Sequence, residues 1–278
     1  MEFYQLDVFA DAAYGGNQLA VFPDAPDLSD AQMQAIAREM NLSETTFVTG
    51  IEGTVYSLRI FTPAEELPFA GHPTVGTAWL LRHLGLLEGD DAVQRSKAGD
   101  TPVSLGSDEP AFERTGTVEA VAAPKSDAVA QALNLPAEAI GLSLAGVELR
   151  PGFADAGVLQ LMVPIRTSDD LVAARPDATL VESLHHEGIY CFTEIAPGRV
   201  KARGFFAGLG ISEDPATGSA AAGLGLYLGD RIGPMTFEIS QGAEVGRPSR
   251  IKVDARSGSV TVAGRCELIF SGRLLALP

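Results

Sequence analysis

The sequence predicts an α+β protein built from two similar domains. Three observations carry this prediction: a length of 278 residues, a mixture of strand and helix patterns, and an order of elements that occurs twice. A chain of this length is long for one domain and fits two domains of ordinary size. We place the domains at residues 1–118 and 119–278, with the last strand able to return to the N-terminal domain.

Strands and two helices are predicted in the first half. After the second strand, a helix is indicated because apolar residues recur at helical spacing from Met33 to Met40, and Asp27 or Ser29 can cap it. Residues 63–73 are interrupted by Pro and Gly and are predicted to be mostly loop. The strand patterns occupy residues 3–9, 18–22, 45–49 and 54–61, and a buried helix is predicted over residues 74–84.

The second half repeats this mixture. A helix is predicted over residues 126–135, and helical pieces split by Pro176 are predicted over residues 168–187. Strand patterns occupy residues 157–165, 189–195, 200–206 and several stretches of 236–277.

Two similar heptapeptides mark the duplication. The segments HPTVGTA, from His72, and DPATGSA, from Asp214, share Pro, Gly and Ala, and Thr77 matches Ser219. Each follows a helix, two strands and a loop, and each opens another helix, so a duplicated domain explains the pair. The alternative is that small residues at helix starts resemble one another without any duplication.

Composition and charge restrict the function. The chain is 46% hydrophobic and carries a net charge of −16, which argues against nucleic-acid partners and anionic membrane surfaces. A site with local positive charge can still bind an anionic small molecule despite this net charge. The first residues lack the basic region of a signal peptide, and no stretch has the length of a membrane span. We therefore expect a soluble, cytoplasmic protein.

The two predicted Gly-containing helix starts are candidate anion sites. A helix N-terminus presents backbone N–H groups and a partial positive charge, which suit a carboxylate. Under pseudo-symmetry, both starts would face one cleft and point to an acidic substrate. The alternative is that these glycines only allow the helices to pack closely.

Four side chains near these helix starts carry candidate chemistry. Glu44 lies among apolar residues, where a raised pKa would suit a proton shuttle, although a solvated loop acid is the alternative. His72 can act as acid, base or hydrogen-bond donor, or be an ordinary polar loop residue. Asp214 can cap the second helix instead of serving a substrate. Ser219 can donate to a carboxylate or satisfy the backbone.

Metal, nucleotide and thiol chemistry have little support in the sequence. The adjacent His185 and His186 lack the i, i+4 spacing of a helical metal site. The Gly-rich residues 206–214 match neither a phosphate-binding loop nor a dinucleotide fingerprint. The chain has two cysteines, Cys191 and Cys266, which are too few for a disulfide framework or a zinc cluster and suit a reduced compartment.

Four motifs in order resemble the PhzF-type phenazine-biosynthesis proteins. They are FYQLDVFADAAYGGNQLAVF, NLSETTFV, FTPAEELPFAGHPTVGTAWLL and GISEDPATGSAAAGLG, and the resemblance runs from the first residues to about residue 225. It implies a diaminopimelate-epimerase-like fold, in which two pseudo-symmetric domains each wrap a curved β-sheet around a central helix. It also implies a homodimer that needs no cofactor or metal.

The resemblance also implies roles for individual residues. Glu44 would move a proton on a cyclic substrate, as in the isomerisation of trans-2,3-dihydro-3-hydroxyanthranilate. His72 and Asp214 would be the other catalytic residues, and the substrate-binding residues would be Gly71, Gly218 and Ser219.

The chain departs from the family pattern at Ala70, where a cysteine is frequent. Related racemases use a cysteine at each loop–helix junction, and this chain has none at either. We therefore expect an isomerase that uses a carboxylate as its proton carrier on a small cyclic carboxylate-bearing substrate. The alternatives are a non-catalytic carboxylate-binding protein on the same fold and an interaction scaffold.

Overall fold

The computed structural model describes residues 1–118 and 122–278 and has the predicted α+β character. The strands are β1 (Glu2–Val8), β2 (Asn17–Phe22), β3 (Glu44–Glu52), β4 (Val55–Phe61), β5 (Glu66–Leu67), β6 (Asp91–Ser96), β7 (Gly99–Ser104), β8 (Ala111–Thr115), β9 (Thr117–Val118), β10 (Leu142–Leu144), β11 (Val147–Leu149), β12 (Gly152–Asp155), β13 (Leu159–Pro164), β14 (Ile189–Ala196), β15 (Arg199–Phe206), β16 (Ile211–Asp214), β17 (Met235–Gln241), β18 (Ser249–Ala255), β19 (Ser259–Ala263) and β20 (Cys266–Arg273). The α-helices are α1 (Asp30–Met40), α2 (Gly71–His83), α3 (Ser126–Leu133), α4 (Ser168–Ala173), α5 (Ala178–Leu184) and α6 (Gly218–Arg231).

The chain forms two compact units. Unit 1 comprises Met1–Glu113 together with Ala263–Pro278, and unit 2 comprises Arg114–Val262. The boundary predicted between residues 118 and 119 adjoins residues 119–121, which lie outside the described part of the chain. Within the described residues, no helix is both long and apolar enough to cross a membrane.

The sheet of unit 1 mixes parallel and antiparallel pairs. β1 pairs antiparallel with β2 and with β20. β2 pairs parallel with β3, β3 antiparallel with β4, and β4 antiparallel with β5 and parallel with β6. β6 then pairs antiparallel with β7. A parallel pair needs a crossover connection, and α1 and α2 lie within the two crossovers of this unit.

Unit 2 repeats the same series of pairings. β12 pairs antiparallel with β13, β13 parallel with β14, and β14 antiparallel with β15. β15 pairs antiparallel with β16 and parallel with β17, and β17 pairs antiparallel with β18. Because the alternation of parallel and antiparallel pairs matches that of unit 1, the predicted duplication is confirmed.

A mostly buried helix runs against the sheet of each unit, α2 in unit 1 and α6 in unit 2. Small residues let these helices approach the strands closely. A Cβ built on Gly76 of α2 would lie 2.6 Å from side-chain atoms of Leu19 and Val8. A Cβ on Gly225 of α6 would meet Val260 at 2.6 Å and Val253 at 2.9 Å.

Helix α2 begins three residues earlier than the sequence predicts. Residues 71–73 were expected to be loop because Pro73 interrupts them, yet α2 starts at Gly71. Proline is compatible with the first helical turn, where its missing N–H has no intrahelical acceptor. His72 is therefore a helical residue in the first turn, and its side chain has a defined direction.

Helix α1 has the start that the sequence indicates. Ser29 is its N-cap and forms a capping box with Gln32. Its buried residues Met33, Ile36 and Ala37 pack in a cluster that contains aromatic side chains of the strands beside it. These aromatic residues are Phe22, Phe47 and Phe61.

Candidate active site

Unit 1 brings Glu44 and His72 into contact. Glu44 is the first residue of β3, and His72 is the second residue of α2. Nε2 of His72 lies 3.5 Å from Oε2 of Glu44, and both residues are buried. Two candidates from separate motifs therefore form one pair of acid–base groups.

A buried hydroxyl pair ties α2 to the strand that carries Glu44. Oγ1 of Thr46 on β3 lies 3.0 Å from Oγ1 of Thr77 on α2. The Thr46 hydroxyl donates its single proton to the carbonyl of Ala20 on β2 at 3.3 Å. The Thr77 hydroxyl consequently donates to Thr46, so two strands and the helix are linked close to the Glu44–His72 pair.

Asn17 contacts His72 and was missed by the sequence analysis. Nδ2 of Asn17 lies 3.3 Å from Nδ1 of His72, and its Oδ1 accepts a hydrogen bond from the Ser43 hydroxyl at 3.3 Å. The strand pattern predicted here began at residue 18, whereas Asn17 is the first residue of β2 and is buried. Its contact with His72 spans 55 residues, so no local signal in the sequence identifies it.

Burial determines the charge of His72. It lowers the pKa of this imidazole to about 3, and a backbone hydrogen bond with Gln18 only partly opposes the shift. His72 is thus neutral near pH 7, and its contact with Glu44 is not an ion pair. A neutral imidazole can donate and accept hydrogen bonds, which suits a partner of a carboxyl group that gains and loses a proton.

The start of α2 has no side-chain cap. Its N-cap residue is Ala70, and Gly71 follows as the first helical residue. An uncapped helix start offers N–H groups and a partial positive charge to an anion. Gly71 therefore lies where the sequence analysis placed a carboxylate-binding backbone group, next to His72.

In unit 2, Asp214 lies close to the start of α6 without capping it. Asp214 ends β16, and Thr217 is the N-cap residue, with no capping bond from its side chain. Oδ2 of Asp214 accepts a hydrogen bond of 2.6 Å from the Thr217 hydroxyl. Thr217, and not Asp214, therefore occupies the N-cap position of α6.

Gly218 and Ser219 occupy the first turn of α6, directly after this loop. Gly218 is buried and Ser219 is half-buried. Like α2, this helix has an uncapped start that can present backbone N–H groups to an anion. The binding roles of Gly71, Gly218 and Ser219 and the catalytic roles of Glu44, His72 and Asp214 remain predictions.

Both cysteines are unsuited to proton transfer. Cys191 lies within β14 and Cys266 begins β20, and both are buried. Burial raises the pKa of each thiol above its ordinary value. Their positions and raised pKa values disfavour a thiol mechanism and leave the carboxyl of Glu44 as the candidate proton carrier.

Comparison with known proteins identifies the family. Residues 6–272 match the family model described as phenazine biosynthesis-like protein. The chain is 37% identical to the trans-2,3-dihydro-3-hydroxyanthranilate isomerase of Pseudomonas chlororaphis, over 92% of this chain and 91% of that protein.

Solved structures agree with the fold. A PhzF-family protein of Bacillus anthracis matches with a TM-score of 0.87 at 24% identity, covering 99% of both chains. A probable proline racemase of Agrobacterium radiobacter shares the fold more distantly, with a TM-score of 0.64 at 10% identity over 98% of this chain and 92% of that one. The protein is a PhzF-like isomerase, and the chain belongs to the phenazine biosynthesis-like family.

Proposed function

We propose that the protein isomerises a small cyclic carboxylate by moving a proton with Glu44, without a cofactor. The observation that carries this proposal is the buried contact between Glu44 and a neutral His72. The named relative acts on trans-2,3-dihydro-3-hydroxyanthranilate, a cyclic compound with one carboxylate, and this is the substrate class that we propose here.

The proposed reaction has two proton transfers and no change in oxidation state. The Glu44 carboxylate removes a proton from a ring carbon that an adjacent π system acidifies, and the C–H electron pair enters that π system. The Glu44 carboxylic acid then returns the proton to a different carbon on the same face. The substrate and product therefore have the same atoms, and Glu44 ends in its starting state.

The other candidates would bind and orient the substrate. His72 hydrogen-bonds a polar group of the substrate or the Glu44 carboxyl, and Asp214 steers the site of reprotonation. Gly71 in unit 1, and Gly218 and Ser219 in unit 2, are the carboxylate-binding candidates of their own units, since each lies at an uncapped helix start. We expect Ser219→Ala to raise KM more than it lowers kcat, because a lost ground-state contact weakens binding.

The test follows trans-2,3-dihydro-3-hydroxyanthranilate by NMR in the presence of the purified protein. An isomerase converts it to a product of the same mass. The second candidate function is non-catalytic carboxylate binding, which the uncapped helix starts could also support. A protein with that function would bind the compound saturably and leave it unchanged. If the compound neither binds nor reacts, this substrate class is wrong.

A stable analogue separates binding from chemistry. The aromatic 3-hydroxyanthranilate has two fewer hydrogens than the relative's substrate and keeps its carboxylate. We expect Glu44→Gln to bind this analogue as the wild type does, because the carboxamide preserves the shape of the side chain. Loss of binding in that variant would indicate a binding role for Glu44 and not proton transfer.

A further inference from the structure

The side chain of Gln241 holds the loop that carries Asp214. Gln241 ends β17 and is buried. Its Nε2 donates to the carbonyl of Asp214 at 2.8 Å, and its Oε1 accepts from the backbone N–H of Thr217 at 3.3 Å. Because a carbonyl only accepts and a backbone N–H only donates, these two bonds determine which end of the amide is oxygen.

A buried tyrosine supports this orientation from β14. The Tyr190 hydroxyl lies 2.8 Å from Oε1 of Gln241, and it donates there because Oε1 can only accept. Burial, and to a lesser degree the charge of Asp214, raise the pKa of Tyr190, so its hydroxyl keeps the proton that it donates.

The orientation of the amide sets the direction of the next hydrogen bonds. Nε2 of Gln241 also lies 3.0 Å from Oγ1 of Thr217 and can only donate to it. The single proton of the Thr217 hydroxyl is consequently directed to Oδ2 of Asp214, at 2.6 Å. Donation from a hydroxyl stabilises the ionised form of a carboxyl group, so this series of bonds favours Asp214 as a carboxylate in one orientation.

The backbone of the same loop has further close contacts at Pro215. The Ser249 hydroxyl on β18 lies 2.8 Å from the carbonyl oxygen of Pro215 and 3.0 Å from that of Arg247, and its single proton can be donated to either. Gly242 has a φ of +80°, and a Cβ there would lie 2.4 Å from the Pro215 carbonyl oxygen. The chain after Gln241 thus approaches this loop as closely as glycine permits.

We propose that Gln241 and Thr217 are positioning residues that hold the Asp214 carboxylate as a hydrogen-bond acceptor in the orientation that the isomerisation requires. Gln241 sets the direction of the Thr217 hydroxyl, and Thr217 in turn orients Asp214. The expected effect of these residues on turnover rests on the proposed function. Their effect on the orientation of Asp214 can be tested without a substrate.

Other charged and titratable groups lie on the elements around Asp214. They are Tyr190 on β14, the ion pair of Arg203 on β15 with Glu213 on β16, and Glu244 after β17, which is paired with Lys201. Substitution of Thr217 leaves all of them in place. A change that follows the Thr217 hydroxyl is therefore attributable to its bonds with Asp214 and Gln241.

The test compares Thr217→Val, which removes the hydroxyl at nearly constant volume, with Thr217→Ser, which keeps it. We expect Thr217→Val to lower kcat about 10- to 100-fold, the loss typical of a hydrogen bond to a charged group, with a smaller change in KM. Thr217→Ser should restore most of kcat. Thr236→Val is the matched control, since the exposed Thr236 makes the same type of bond with Asp254 and should leave turnover unchanged.

A second readout does not depend on substrate. The carboxyl ¹³C signal of Asp214 should titrate at a higher pH in Thr217→Val than in the wild type, and Thr217→Ser should reverse this change. Gln241→Glu removes the donor to Thr217 and should act in the same direction as Thr217→Val. If Gln241→Glu fails to fold, the comparison of Thr217→Val with Thr217→Ser tests the proposal alone.

The outcomes separate this proposal from the proposed function. If Thr217→Val keeps both wild-type turnover and the wild-type titration of Asp214, the positioning proposal is wrong even where Glu44→Gln is inactive. The wild type could instead show no isomerase activity while the titration of Asp214 shifts in Thr217→Val as expected. Thr217 would then orient Asp214, but the proposed function and the expected effect on turnover would be wrong.

Discussion

Nε2 of His72 lies 3.5 Å from Oε2 of Glu44, although one residue lies in the first turn of a helix and the other begins a strand. The contact depends on α2 packing tightly against the sheet of unit 1. The hydroxyls of Thr46 and Thr77 join α2 to β3, and the absence of a side chain at Gly76 lets α2 approach β1 and β2. Because His72 stays neutral, Glu44 has a neighbour that can exchange hydrogen-bond roles without adding charge.

The stability of the protein should depend on pH through His72. The pKa of this group is about 3 in the folded state and about 6.5 when unfolded, so the unfolded chain binds more protons between these values. The stabilisation is complete above about pH 6.5 and is lost as pH falls toward 3. Wild type should therefore lose about 1.4 kcal/mol per pH unit more than His72→Gln in urea titrations between pH 4 and 6. Parallel profiles would contradict a buried neutral His72.

Asn17→Asp should raise the pKa of His72. A carboxylate beside Nδ1 favours a protonated imidazole, whereas the amide of Asn17 carries no charge. Histidine NMR titrations would measure this rise in the pKa of His72. The control is Asn41→Asp at an exposed helix end, which should leave the His72 signal in place. An unchanged His72 titration in Asn17→Asp would contradict the contact.

Gly76→Ala should destabilise the fold by about 1–3 kcal/mol, the usual cost of overpacking a core. The added methyl group would meet Leu19 and Val8 at 2.6 Å. Gly50→Ala is the matched control, because nothing lies within 4 Å of a Cβ there. Chemical unfolding of both variants measures the difference, and equal stabilities would show that α2 is not closely packed at Gly76.

Neither cysteine should be needed for turnover. Both thiols are buried and have raised pKa values, so a thiol reagent should modify neither in the native protein and both after unfolding. The variants Cys191→Ala and Cys266→Ala should retain kcat. A loss of 100-fold or more in a variant that remains folded would support thiol chemistry.

Much of the fold was predictable because local patterns agree with the tertiary arrangement. The helical spacing from Met33 to Met40 and the cap at Ser29 gave α1, and the paired heptapeptides gave the duplication. The start of α2 was placed too late because Pro73 breaks most helices, and its tolerance in a first turn depends on where the helix begins. The pairing of β20 with β1 joins the two ends of the chain, a return that the sequence analysis allowed, although local sequence does not specify the partner strand.

The site was predictable only in part. Short motifs singled out Glu44, His72 and Asp214 as candidates: Glu44 stands among apolar residues at a strand start, and His72 and Asp214 stand beside small residues near helix starts. Asn17 and Gln241 were missed because their partners are distant in sequence, and their own segments have ordinary strand patterns. Hydrogen bonds that span 55 or 27 residues become visible only in the folded chain.

The most direct test of Glu44 as the proton carrier is the turnover of Glu44→Gln with trans-2,3-dihydro-3-hydroxyanthranilate. Glu52→Gln, at the exposed far end of the same strand, is the control. We predict that Glu44→Gln keeps the folded structure and the affinity for 3-hydroxyanthranilate but loses about 10²- to 10⁴-fold in kcat, the range for removal of a general acid–base group. A kcat within a few-fold of the wild type and of Glu52→Gln would contradict the account.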